Sequence, residues 1–243
     1  MLTVQMVDEW KFLLLNVGEW RGWFDSMDGS LQRTKRQPSL LTLQPSASGA
    51  PLHLTLLLWP EGSAAPQQTP SGDPEKRIVQ SFMRLDPDMG VFGTGSFSRG
   101  TLYRSTWTKF YAEFSFLHGQ RRHRLVLLWD GSGQLARIVL IREFLVGSSA
   151  VECPALLADH LIGNWCRDSP FAGEDIRLVS ADLDQWIFLP DGGAFLAPAQ
   201  IDPNQPFSIE ALWLSSPTRL ERISRRYSDN GALTSVDHQL LSR

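Results

Sequence analysis

Residues 5–17 carry Met6, Val7, Trp10, Leu13, Leu14 and Val17 at helical spacing, which predicts a short amphipathic helix leading into Gly18. The period then changes to two. In "PLHLTLLLW" Leu52, Leu54, Leu56 and Leu58 share one face and His53, Thr55 and Trp59 the other; in "FYAEFSF" Phe110, Ala112, Phe114 and Phe116 oppose Tyr111, Glu113 and Ser115. Alternation of this kind marks strands with unlike faces. Further strands are expected over 20–26, 39–43, 77–85, 100–105, 121–129 and 135–144, separated by turn signals at Asp28-Gly29, Asp86-Pro87, His118-Gly119 and "DGSG", 130–133. The stretch 60–76, rich in Pro, Gly, Ser and Gln, reads as a long loop. A second short helix is expected near 155–160, after which the strand pattern resumes.

The two halves invite comparison. Phe110, Glu113 and Phe116 correspond to Phe207, Glu210 and Trp213 at an offset of 97. Arg121, Arg124, Leu125, Trp129, Gly133 and Leu135 correspond to Arg219, Arg222, Ile223, Tyr227, Gly231 and Leu233 at an offset of 98. Both segments read as three-strand meanders and form a degenerate internal repeat. The expected fold is all-β: two antiparallel barrels in tandem, over 1–147 and 148–243, with a short N-terminal helix and a short linker helix. The second is compact for a barrel, and is either incomplete or completed by strands of the first.

Composition narrows the function classes. The net charge of -3 offers no basic field for a phosphate backbone, so nucleic acid is not an expected partner. Of the 23 basic residues 19 are Arg, a bias that suits protein contacts and anion pairing as well as a GC-rich coding sequence. Two cysteines, Cys153 and Cys166, are too few for a disulfide scaffold and read as reduced thiols. Asp8, Glu9 and Lys11 interrupt the first apolar residues, so no signal peptide is read there, and no apolar run reaches the ~20 residues of a membrane helix. The expected location is the cytoplasm.

One tripeptide recurs: Gly18-Glu19-Trp20 in "LLLNVGEWRGWF" and Gly163-Asn164-Trp165 in "HLIGNWCRD". A tryptophan heading the first strand can lie across the open end of a barrel, with the glycine letting the backbone turn in and an arginine covering the indole. Gly18, Trp20, Gly163 and Trp165 are therefore read as barrel-closing residues, with Arg137 and Arg142 as candidate covers for Trp20. With "GGAFLAPAQI", "FSIEALWL" and "RLERISRRYSDNGAL", this layout resembles a cyanobacterial calycin-like family of unknown function, related to the plastid biogenesis factor required for ATP synthase. The resemblance spans nearly the whole chain. It implies two calycin-like barrels of the lipocalin superfamily and, for the plastid relative, a non-catalytic role in assembling the catalytic head of ATP synthase. Bilin lyases, which are also calycin-like, end with a similar Arg-rich strand and turn.

Catalytic motifs are missing. The five histidines fall at no metal-ligand spacing, and no nucleophile elbow, P-loop or His-Glu-x-x-His occurs. "DPDMG" begins like a calcium loop but places Phe97 where the twelfth-position Glu is needed. "GVFGTGSFSRG" is read as tight turns, and Glu113 and Glu210 as outward-facing strand residues. No cofactor, metal ligand or catalytic residue is assigned. The anomaly is "TRLERISRRYS", which puts Arg219 and Arg225 on one face and Arg222 and Arg226 on the other. These arginines bind a partner protein or an anionic ligand, or pair with nearby carboxylates.

Two functions compete. The first is a non-enzymatic assembly factor that binds a partner protein, by resemblance a subunit of the ATP synthase head. The alternative is a barrel holding a small hydrophobic ligand with an acidic group, a bilin or fatty acid, against Phe110, Phe114 and Phe116, with an arginine from 219–226 on the acid.

Overall fold

A computed structural model describes residues 9–63, 70, 72–105, 107–168 and 175–243. The start of the N-terminal helix expected over 5–17 lies outside them; 9–13 are helical and run into a 3-10 turn, Leu14–Asn16. Sixteen strands follow among the described residues: β1 (Gly18–Asp28), β2 (Arg33–Pro45), β3 (Leu52–Leu58), β4 (Lys76–Phe82), β5 (Met89–Val91), β6 (Phe97–Gly100), β7 (Phe110–His118), β8 (Arg121–Trp129), β9 (Leu135–Leu145), β10 (Gly163–Arg167), β11 (Asp175–Leu178), β12 (Ile187–Phe188), β13 (Gly193–Leu196), β14 (Phe207–Ser216), β15 (Arg219–Tyr227) and β16 (Leu233–Ser242). The expected linker helix is a 3-10 turn, Ala158–His160. Among the described residues no helix is long and apolar enough to cross a membrane.

The chain divides into two compact units. One holds Met1–Gly100, Tyr111–Asp130 and Leu135–Val151, the other Thr101–Phe110, Gly131–Gln134 and Glu152–Arg243. The first contains a nine-stranded sheet of order β4-β3-β2-β1-β9-β8-β7-β6-β5, the second a seven-stranded sheet of order β11-β10-β16-β15-β14-β13-β12. In each the first strand pairs with the last, so the sheet curls into a barrel-like form, while the ladder stays open between β4 and β5 and between β11 and β12.

The alternation read along β3 is the packing pattern. Leu52, Leu56 and Leu58 are buried and join Leu41, Leu43, Trp20 and Phe97 in the first core. A second core gathers Leu161, Trp165, Leu183, Trp186, Leu212 and Leu241. The strand expected over 100–105 ends at Gly100. Beyond it the Leu102 carbonyl accepts from Leu233 N and Arg104 N donates to the Gly231 carbonyl, both at 2.8 Å, so these backbone groups serve the second unit and no ladder continues.

Candidate functional site

The first unit contains a half-open cavity of about 190 Å³. Leu41, Leu43, Leu52, Leu54 and Leu56 form its apolar wall, and Arg99, Glu113, Arg122 and Arg124 its polar end. Strand periodicity produces this division: Arg122 and Arg124 are two apart on β8, so both side chains enter from one face, and Glu113 reaches them from β7. The polar end is wired by ion pairs. Arg122 donates to Glu143 Oε2 through Nε at 3.0 Å and Nη2 at 2.6 Å. Arg124 donates to Glu113 Oε1 through Nε and Nη2 and stands 3.7 Å from Glu143. Arg99 Nε lies 3.8 Å from Glu113 Oε2. Arg99 Nε and Asn16 Oδ1, both in the lining, are buried and have no hydrogen-bond partner among the described residues.

Burial and charge oppose each other in this cluster. Burial lowers the Arg122 pKa, helped by the like charge of Arg124, and the attraction of Glu143 offsets only part of it. Burial also acts on Arg124, but Glu113 and Glu143 together outweigh it and raise its pKa. Arg99 is likewise raised: burial acts against its charge, and Glu113, the Tyr111 hydroxyl and Asp88 outweigh it. Burial, and donation to Asp88 at 2.8 Å, raise the Tyr111 pKa.

The Gly-x-Trp steps occupy equivalent places. Trp20 Nε1 donates to the Asn16 carbonyl at 2.9 Å and Trp165 Nε1 to the Leu161 carbonyl at 2.8 Å, each four residues back. Gly18 has φ +144° and Gly163 φ +132°, values that residues with a Cβ rarely adopt. The cation over Trp20 differs from the two expected there, and Trp165, for which none was expected, has one as well. Arg122 covers Trp20 at 4.7 Å and Arg243 covers Trp165 at 4.3 Å. Arg137 donates to Ser26, and Arg142 to Asp25, which also binds Arg36.

The arginines of β15 take separate places. Arg222 donates to Glu210 and lies 5.5 Å over Trp186, at a second cavity of about 420 Å³ in the second unit. Arg226 pairs with Asp237 at the surface, and Arg219 lies 3.8 Å from Glu221. Arg225 is fully buried and donates to the Tyr227 hydroxyl at 3.0 Å. A carboxylate thus stands beside each of Arg219, Arg222 and Arg226. Phe110, Phe114 and Phe116 are buried, but none lines the first cavity, because they alternate with Glu113, which does. Phe110 instead packs edge-on against Phe207 and Tyr227. Glu113 and Glu210, expected to face outward, are buried and bound to Arg124 and Arg222. That Glu–Arg pair was legible: Glu113 and Arg124 recur together as Glu210 and Arg222 on neighbouring strands. Cys153 and Cys166 are free thiols.

Two curled antiparallel sheets, each led by a Gly-x-Trp strand paired with its last strand, define a tandem barrel-like all-β protein. The chain belongs to the DUF3598 family: residues 6–148 match the family described as "Domain of unknown function (DUF3598), N-terminal". Residues 169–240 match the family described as "Biogenesis factor required for ATP synthase 1, C-terminal domain". The resemblance read from the sequence is borne out by both. A solved protein of unknown function from the DUF3598 family of Nostoc punctiforme PCC 73102 is 25% identical, with 97% of this chain and 98% of that one covered and a TM-score of 0.79. An S-type phycobiliprotein lyase from Guillardia theta is 11% identical over 98% of this chain and 94% of its own, with a TM-score of 0.21, too low to carry an argument. No curated protein matches.

Proposed function

We propose that this protein is a non-enzymatic assembly factor that binds a subunit of the ATP synthase catalytic head. The match of residues 169–240 to the C-terminal domain of a biogenesis factor required for ATP synthase carries the reading. The surface of the second unit supports it. Trp107 is 89% exposed at φ 71°, its backbone N–H held by the Gly131 carbonyl, and Tyr103 and Leu102 are exposed beside it in sequence. Exposed aromatic residues on a pinned backbone suit the centre of a protein interface, where Trp and Tyr dominate binding energy. The unbonded Cys153 and Cys166 fit a reducing compartment, so the expected meeting place is the cytoplasm.

The test is affinity purification of the tagged protein at native abundance, beside a Trp107→Ser/Tyr103→Ser variant. Recovery of head subunits, reduced at least about tenfold by the double substitution, is expected. Absence of every head subunit from the wild-type eluate overturns the reading.

A further inference from the structure

The second unit carries more acids than bases, 13 Asp and Glu against 9 Lys and Arg. Arginines stand beside Glu210, Glu221 and Asp237, whereas Asp202 and Asp229 make no ion pair among the described residues. Both line one half-open cavity of about 170 Å³, together with Tyr103 and Phe207. Arg104 is the one cation in that lining among the described residues. Its guanidinium lies against Gly133, where a Cβ would fall 2.5 Å from Nη2, and it pairs with neither aspartate. Asp229 Oδ1 accepts from Asn230 N at 2.8 Å, which leaves its second oxygen over, and Asp202 accepts no hydrogen bond from a described residue.

The walls are fixed by the fold. Leu233 N donates to the Leu102 carbonyl and Arg104 N to the Gly231 carbonyl, both at 2.8 Å, so the backbone is clamped on either side of Tyr103 while its side chain stays exposed. In the turn that carries Asp229, Asn230 Oδ1 accepts from Ser228 Oγ at 2.6 Å and from Ala232 N at 3.1 Å. Binding here is spared much of the cost of ordering loops. An aromatic ring beside two carboxylates selects a cation, through the negative face of the ring and charge-assisted hydrogen bonds. Size limits what enters. An apolar cavity of about 150 Å³ holds benzene, so about 170 Å³ takes the head of one side chain. Arginine meets these conditions better than lysine, because its planar guanidinium stacks on aromatic rings and presents five donors, whereas an ammonium is a strongly hydrated point charge.

We propose, on the basis of the assembly role, that this cavity receives an arginine side chain of the protein partner, with its guanidinium on Asp202 and Asp229 and against Tyr103. Tyr103 is shared between the cavity and the exposed aromatic surface that supports that role, so the two are continuous. The acid excess of the second unit acts in the same sense at longer range, steering a basic face toward it.

Titration of the isotope-labelled full chain with N-acetyl-arginine amide, followed by amide chemical shifts, tests the cavity, with N-acetyl-citrulline amide as the neutral probe of the same shape. The arginine probe is expected to give saturable shifts at Tyr103, Arg104, Asn230 and Gly231 with a Kd of about 1–10 mM, and the citrulline probe to bind at least about tenfold more weakly. Asp202→Asn/Asp229→Asn removes that preference. Both side chains are exposed and outside any ion pair of the described residues, so the variant is expected to keep the wild-type melting profile. In the affinity purification it is expected to recover head subunits at least about tenfold less well than wild type. Shifts that do not saturate, equal affinity for the two probes, or a preference that survives the double substitution overturns the proposal, and so does undiminished recovery of head subunits by the variant. Absence of head subunits from the wild-type eluate overturns the assembly role instead, and the titration then decides the cavity by itself.

Discussion

Arg122 and Glu143 are almost fully buried, at 3% and 0% side-chain exposure, and hold each other in place. Removing one partner strands the other charge away from water, so Glu143→Gln is expected to cost about 3–5 kcal/mol in urea unfolding. The double variant Arg122→Leu/Glu143→Leu recreates the Leu220–Leu241 contact of the second sheet. It is expected to recover most of that loss, and a double variant as unstable as the single one would count against the equivalence of the two sites. Asp28 acts at the surface: its Oδ1 accepts from Ser30 N, Ser30 Oγ and Gln32 N in the β1–β2 turn, and these bonds lower its pKa below 3.8. A carboxyl lowered by folding contributes stability above its unfolded value and loses it as pH falls through the folded one. Asp28→Ala should therefore melt earlier than wild type at pH 7, with the gap closing as the pH falls below about 4.

At the scale of elements, the same register recurs wherever the chain builds the same joint. Arg21 opposite Phe144 and Cys166 opposite Ser242 set the leading strand on the last one identically in both sheets. A register shift precedes Trp129 in one meander and Tyr227 in the other. The leading glycines can be separated by what surrounds them. A Cβ at Gly163 would meet only Arg243 Nη1 at 3.5 Å, whereas at Gly18 it would lie 2.9 Å from Leu145 Cδ1. Gly163→Ala is thus expected to cost about 1–3 kcal/mol from backbone strain alone, and Gly18→Ala more, as read by chemical denaturation. Hydrogen exchange should rank the strands. Amides of β8 and β9, inside the nine-stranded ladder, are expected to exchange orders of magnitude more slowly than those of β4, an exposed edge strand.

For the whole molecule, the division into compact units assigns 101–110 and 131–134, together with 152–243, to the second. Tyr103 bridges to Ala232, Gln134 to Gln200, and Phe110 completes a ring cluster with the stacked Phe207 and Tyr227, whose centroids are 4.6 Å apart. Residues 152–243 expressed alone lack these partners. The fragment is expected to melt well below the second unit within the full chain and to bind a hydrophobic dye, and a fragment melting as the full chain does would show that these contacts are dispensable.

The period-two alternation by itself determined that the chain is all-β, and the recurring Gly-x-Trp and meander residues marked where each sheet begins and ends, because local stereochemistry and one-sided burial act on neighbours in the chain. The Glu113–Arg124 pair was also written there, twice. Only the tertiary structure decided that Glu113 faces a cavity and the phenylalanines beside it do not, since alternation separates two faces without saying which one is interior. Likewise it decided that Arg122, not Arg137 or Arg142, covers Trp20. Contacts of that kind join residues about a hundred positions apart, and their partners depend on how a twisted sheet curls, which no short stretch of sequence encodes.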